Sequence, residues 1–185
     1  MNEQARHEFF DSGLRHVDHV MEVIHRQINE SFVPNRVLDF GCGVGRTLIP
    51  FASIASEVLG LDASVPMLEE AKRNCDERKL TNVSFLASDD SLSSLVGVFE
   101  LIHSYIVFQH ISSERGRILF ENLLAHLAPE GIGALHFLYS KERYLSTYGI
   151  PPSRVSSIRP FESTPSAGPR SMCAGSVGSA HTART

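Results

Sequence analysis

Residues 35–50 read NRVLDFGCGVGRTLIP. A run of apolar residues ends in the acid Asp39, and glycines follow at Gly41, Gly43 and Gly45. The segment RVLDF predicts a short buried strand. The loop after it should lie where an open α/β sheet binds ligands, beyond the carboxyl end of the strand. Missing Cβ atoms let such a loop adopt positive φ and let its backbone approach a ligand closely. The dinucleotide fingerprint would need a Gly or Ala at position 46, and Arg46 stands there. No G-K-[ST] follows, so the phosphate P-loop signature is absent as well. A pyrophosphate gains nothing from a carboxylate two residues before the loop. Asp39 suits a cationic group, such as an amino-acid ammonium or a water it holds, through a charge-assisted hydrogen bond. By itself Asp39 can equally cap the glycine turn.

Strand-like and helix-like stretches alternate on either side. Leu14, Val17, Met21, Ile24 and Ile28 lay one apolar stripe along an opening helix, with Asp11 and Ser12 placed to cap it. A second helix is expected over residues 44–55, with Pro50 early enough to be tolerated. EVLGLD is a second strand. Ser64 can cap the helix that carries Pro66, Met67, Leu68 and Ala71. NVSFLA and FELIHSY are the third and fourth strands. Ser112 or Ser113 can cap a long helix with Ile118, Leu119, Leu123, Leu124 and Leu127 on its buried face. APEG is read as a turn and IGALHFLY as the fifth strand. Strands separated by helices imply parallel pairing with right-handed crossovers. The fold class is therefore α/β: a Rossmann-like, doubly wound, mostly parallel sheet of about five recognisable strands.

The 185 residues hold 42% hydrophobic and 21% charged residues, with a net charge of -4. That suits an ordinary globular domain and offers no basic surface for nucleic acid and no membrane-seeking segment. The start of the chain lacks the charged-then-apolar order of a secretory signal. The 3 cysteines are scattered without a CxxC, which argues against a disulfide framework and for a reducing cytoplasm.

Two further acids extend the site. Asp62 ends the second strand, where such folds hold ribose hydroxyls, although it can also cap the next helix. Asp89 follows the third strand and can accept from an exocyclic adenine amine, with Asp90 as its competitor. Ammonium, ribose and adenine together describe S-adenosylmethionine. A nicotinamide dehydrogenase is disfavoured by Arg46 and Asp39.

The segments VLDFGCGVGR, VLGLDASVPMLEEAKRN, NVSFLASDD, FELIHSYIVFQHI and LLAHLAPEGIGALHF occur in an order and spacing that resemble the class I, seven-stranded, Rossmann-like S-adenosylmethionine-dependent methyltransferases. The resemblance runs from Val37 to about Tyr139. It implies that the methionine part of S-adenosylmethionine lies near Asp39, Gly41, Cys42, Gly43 and Gly45. It places the ribose on Asp62, adenine between Ala63 and Asp89 or Asp90, and Met67 at the ribose–adenine edge. Ser88 and Glu100 depart from the family pattern, which more often has Gly and Asp there. The implied reaction is methyl transfer to an O, N or C nucleophile of a small-molecule acceptor, by a monomer or homodimer. Family habit puts substrate-facing residues after the fourth strand, so His103, Tyr105, Gln109 and His110 are candidates. Tyr105 and His110 are the catalytic ones. His110 can serve as a base, or can simply pack at the start of the next helix.

Several features carry weaker expectations. Cys42 is a small filler in the loop. His16 and His19 lie one turn apart without a third metal ligand, and a solvated or partly packed face is expected. Phe9 and Phe10 form either a flap or an apolar lead-in to the first helix. Residues 1–150 form the methyltransferase domain, with a helix beginning in KERYLSTYGI. Residues 151–185, rich in Ser, Pro, Gly, Ala and Arg, read as a disordered tail. The two final strands of the family fold are not recognisable. This suggests truncation or a frameshift after about Gly149, and a non-catalytic cofactor-binding remnant or interaction protein as the alternative function. Strand five would then be an exposed edge.

Overall fold

The computed structural model describes residues 2–137. Its elements run α1 (Glu3–Gln27), β1 (Arg36–Phe40), α2 (Leu48–Phe51), β2 (Glu57–Asp62), α3 (Val65–Glu77), β3 (Val83–Ala87), β4 (Phe99–Ser104), a 3-10 turn (Phe108–His110), α4 (Ser113–Ala125) and β5 (Leu127–Leu135). The strands form one sheet in the order β3-β2-β1-β4-β5, and every neighbouring pair is parallel. The order reverses between β1 and β4, which opens the crevice of a doubly wound sheet at their carboxyl ends.

Alternation along the strands builds two cores. Val37 and Leu101 face one way, with Val17 and Ile24 of α1, Leu48 and Phe51 of α2, and Leu68 and Cys75 of α3. Leu38 and Ile102 face the other way, with Leu119 and Leu123 of α4. A buried parallel sheet needs apolar residues on both faces, which is why RVLDF and FELIHS read as nearly continuous apolar runs.

Several expected boundaries move. α1 begins well before Asp11 and Ser12: Asn2 caps it, accepting from the Ala5 amide at 2.8 Å. Ser12 instead donates to the Phe9 carbonyl within the helix. Leu14 and Ile28 are exposed; of the predicted stripe Val17 and Ile24 are buried in the core and Met21 packs against it. The helix expected over residues 44–55 shrinks to α2. Ser64 and Ser112 take the N-cap positions of α3 and α4 without a side-chain capping bond. On α4, Leu119 and Leu123 are buried while Ile118 and Leu124 face outward, and Leu127 already belongs to β5. The APEG segment lies within β5. The register against β4 shifts there between Phe99 and Leu101, and Glu130 takes a φ of 61°. That is a bulge rather than a connecting turn. Among the described residues β3 and β5 are the two edge strands. Leu138, Tyr139, the expected helix of KERYLSTYGI and the 151–185 segment lie outside the described residues.

The long α1 is seated by one glycine. A Cβ on Gly13 would overlap the backbone carbonyl of Arg46, so α1 crosses directly over the end of the glycine loop. Arg6, near the start of the same helix, donates to Asn74 at 2.8 Å and pairs with Glu77 on α3.

Gly13→Ala separates two effects of opposite sign. Helix propensity alone favours alanine by about 1 kcal/mol. The overlap with fixed backbone should outweigh it, for a net loss of about 1–3 kcal/mol in urea unfolding. A variant as stable as the parent, or more so, would mean that α1 is not seated this closely.

Candidate functional site

The glycine loop has the backbone that its sequence predicts. Gly41, Gly43 and Gly45 have φ of 75°, 53° and 88°, a region that other residues occupy only under strain. The amides of Gly41 and Cys42 donate to the Leu61 carbonyl at 2.6 and 3.1 Å, which fastens the loop to β2. Val107 packs against Gly41 so closely that any Cβ there would strike it. Beside Gly43 the space is open. The Cys42 thiol is buried, and burial together with Asp39 and Asp62 pushes its pKa far up, so it is an inert filler.

Asp62, at the end of β2, is half-buried and held from two sides. One oxygen accepts the Gly43 amide at 2.8 Å and the other accepts the Ser64 amide at 2.8 Å. It therefore both braces the glycine loop and caps the approach to α3. Each oxygen keeps a second lone pair for an incoming hydroxyl. Ala63 and Met67 lie exposed beside it.

Beyond β3, Leu61, Leu86, Asp89, Leu92 and Leu95 line a crevice. Asp89 accepts from the Ser93 hydroxyl at 2.7 Å, the Ser93 amide at 3.1 Å and the Ser91 hydroxyl at 2.9 Å. Those bonds, led by the Ser93 hydroxyl, lower its pKa to about 2. Asp90 does not join the site: both its oxygens meet Arg115 of α4, at 2.8 and 2.6 Å.

Asp39 is 1% exposed, and both its oxygens are occupied. Thr47 donates from its hydroxyl at 2.8 Å, and His103 Nδ1–H donates at 2.7 Å. The expected carboxylate free for an ammonium is thus a carboxylate behind the loop, already satisfied by protein donors. His103 is buried under α1 instead of facing a substrate, since its position on β4 shares the sheet face of Leu101. Its Nε2 lies 3.0 Å from Nε2 of His16 on α1.

His16, expected on a solvated or partly packed face, is half-buried and packed beside the Asp39–His103 pair. Its ring stacks on Tyr105 at 3.7 Å between centroids, and Arg46 sits 5.2 Å above the same tyrosine. Burial, then the neighbouring His103 and Arg46, lower the His16 pKa to about 4. Of the two expected catalytic residues, Tyr105 joins this cluster. His110 does not: it is exposed in the 3-10 turn, where Gln109 Nε2–H donates to its Nε2 at 3.0 Å. Phe9 and Phe10 are body residues of α1 beneath Arg46 and Arg78, with no flap. Among the described residues no group of His, Cys, Asp and Glu is arranged to hold a metal ion.

The depressed His16 pKa has a sign. The unfolded chain protonates this ring near 6.5, and the folded chain only near 4. Its contribution to stability is complete above 6.5 and is lost as pH falls toward 4. His16→Gln should therefore flatten the fall of urea midpoint between those values. An unchanged acid slope would show that the ring titrates as if free.

The sequence profile of a family described as "Methyltransferase domain" matches residues 37–131. The chain is 37% identical over 73 residues to the 23S rRNA (uracil(1939)-C(5))-methyltransferase RlmD of Shewanella frigidimarina, a match that covers 40% of this chain and 15% of that one. It is 42% identical over 65 residues to the aklanonic acid methyltransferase DauC of Streptomyces sp. strain C5, covering 34% and 30%. The chain thus spans well under half the length of either relative. Among solved structures, S-adenosylmethionine-bound CalS10, an amino pentose methyltransferase from Micromonospora echinaspora, superposes with a TM-score of 0.56 at 25% identity, covering 72% of this chain and 52% of that one. With its glycine loop, its β2 carboxylate and its strand order, this chain belongs to the class I S-adenosylmethionine-dependent methyltransferase domain family.

Proposed function

We propose that the protein binds S-adenosylmethionine across Gly41–Gly45, Asp62 and the Asp89 crevice, and methylates an O, N or C nucleophile of a small-molecule acceptor. The observation that carries this reading is the Asp62 carboxylate, oriented by the Gly43 and Ser64 amides at the end of β2 and beside the open space at Gly43. A ribose diol fits that carboxylate, and the exposed Ala63, Met67 and Asp89 lie on the side of it where an adenine would extend. Bound there, S-adenosylmethionine would supply a sulfonium methyl group already activated toward nucleophiles.

The chain's own residues then have three tasks. Asp62 and the glycine loop orient the cofactor, and rigid positioning carries much of the rate in such transfers. The end of β4, with Tyr105 and the overlying α1, faces the acceptor. The satisfied Asp39 keeps loop, strand and helix in register. A net charge of -4 suits a small acceptor better than a polyanion. The free, buried Cys42 and Cys75 suit a reducing compartment such as the cytoplasm.

Calorimetric titration with S-adenosylhomocysteine tests the reading. The parent chain should bind saturably, and Asp62→Ala should weaken binding about 10- to 100-fold, the worth of hydrogen bonds to a charged acceptor. Equal affinities would remove Asp62 from the site. No binding by a chain shown to be folded would overturn the proposal.

A further inference from the structure

Three features at the carboxyl ends of β1 and β4 remain after cofactor binding is accounted for. A buried carboxylate orients a buried histidine, that histidine meets a second histidine on another element, and the second ring reaches the surface. Asp39 Oδ1 accepts from His103 Nδ1–H at 2.7 Å, and the two Nε2 atoms of His103 and His16 lie 3.0 Å apart. His16 Nδ1 has no hydrogen-bond partner among the described residues, and it is not sealed from solvent.

We propose that Asp39, His103 and His16 form a proton relay, in which His16 Nδ1 takes the proton of a hydroxyl or amine acceptor and the positive charge comes to rest on His103 beside Asp39. The source of the proton rests on the methyltransferase reading; the relay itself does not.

The bonding pattern follows from the carboxylate. Asp39 can only accept, so His103 must carry its proton on Nδ1. In the resting state His103 Nε2 is then bare and accepts from His16 Nε2–H. This leaves His16 Nδ1 bare and basic. When an acceptor approaches, its O–H or N–H bond breaks and the electron pair stays on the acceptor. A new N–H bond forms at His16 Nδ1. The His16 Nε2–H bond breaks in turn, and His103 gains that proton on Nε2. His16 ends neutral in its other tautomer, and His103 ends as an imidazolium 2.7 Å from a carboxylate. One proton enters and none is lost.

The surroundings favour that location of the charge. Arg46 of the glycine loop and His19 of α1 both oppose a cation on His16, as burial does. Tyr105, stacked on His16, keeps the ring plane fixed. Phe51 of α2 packs edge-on to His103 at 4.9 Å and keeps water from it. Among the described residues Asp39 is the one carboxylate hydrogen-bonded to either ring. His136, after β5, meets the Tyr105 ring edge-on at 5.3 Å, and its Nδ1 is buried without a partner among the described residues. His110 has no such support, because no carboxylate contacts its ring among the described residues.

Histidine-selective nitrogen NMR on the full chain, followed from pH 8 to pH 3.5, reads the relay directly. At pH 8 His103 should carry its proton on Nδ1 and His16 on Nε2. The first titration step should change both rings together: His103 becomes doubly protonated, and the His16 proton moves to Nδ1. His16 should acquire a second proton only in a later step, near pH 4. In the folded His16→Gln variant, His103 should titrate alone. The proposal is overturned if His16 takes two protons in the first step, if the rings titrate independently, or if His103 Nδ1 is bare at pH 8. S-adenosylhomocysteine titration of the same samples keeps the two readings apart. Coupled rings without binding would sink only the methyltransferase reading. Binding with uncoupled rings would sink only the relay.

Discussion

A carboxylate that is almost fully buried governs this fold. Taking Asp39 out of water costs several kcal/mol unless donors replace its hydration. Two donors do so, and they come from separate parts of the chain: Thr47 at the exit of the glycine loop and His103 on β4. The loop must therefore fold back over the end of β1, and β4 must lie beside β1 in the register that pairs Asp39 with His103. His103 in turn meets His16 and so fixes how α1 lies across the sheet. Removing any one of these partners leaves a polar group stranded in the core.

The second constraint is space. Gly13 lets α1 touch the backbone of Arg46, and Gly41 lets Val107 fold down onto the loop. The chain leaves β4 through Ile106 at a φ of 64°, which is costly for a β-branched residue. Strain of this kind persists only where the surroundings over-determine it. Here it separates Tyr105, turned toward His16, from Val107, turned toward Gly41. The end of β4 can thus touch α1 and the glycine loop at once.

The two acids at the strand ends divide the work accordingly. Asp62 is half-buried and bonded only to backbone amides, so it keeps lone pairs for a ligand. Asp39 is buried and bonded to side chains, one of them able to carry a proton. Residues of the same type at equivalent ends of adjacent strands therefore suit a binding role and an electrostatic one, and their burial makes the difference. Asp89 and Asp90 are both exposed and differ by partner instead, one turned into a serine-lined bend and the other drawn away by Arg115.

Much of this was legible in the residues. The strand–glycine loop–helix pattern, the alternation of strands with helices and the acids at strand ends are local, and local sequence reports them. Helix ends were less legible. Asn2 rather than Asp11 caps α1, and Thr47 spends its hydroxyl on Asp39, because capping depends on which side chains are left over after packing. The bulge in β5 hides as an apparent turn, since APEG has turn chemistry and only pairing with β4 shows that the strand continues. The Asp39–His103–His16 chain was not legible at all: its members lie on β1, β4 and α1, and no spacing along the chain connects them. The sequence by itself determined the fold class, the glycine loop and the acids at the strand ends, which follow from short-range pattern and backbone freedom. Only the tertiary structure decided that Asp39 is satisfied from within and that His16 meets His103, because both depend on which groups burial brings within hydrogen-bonding distance.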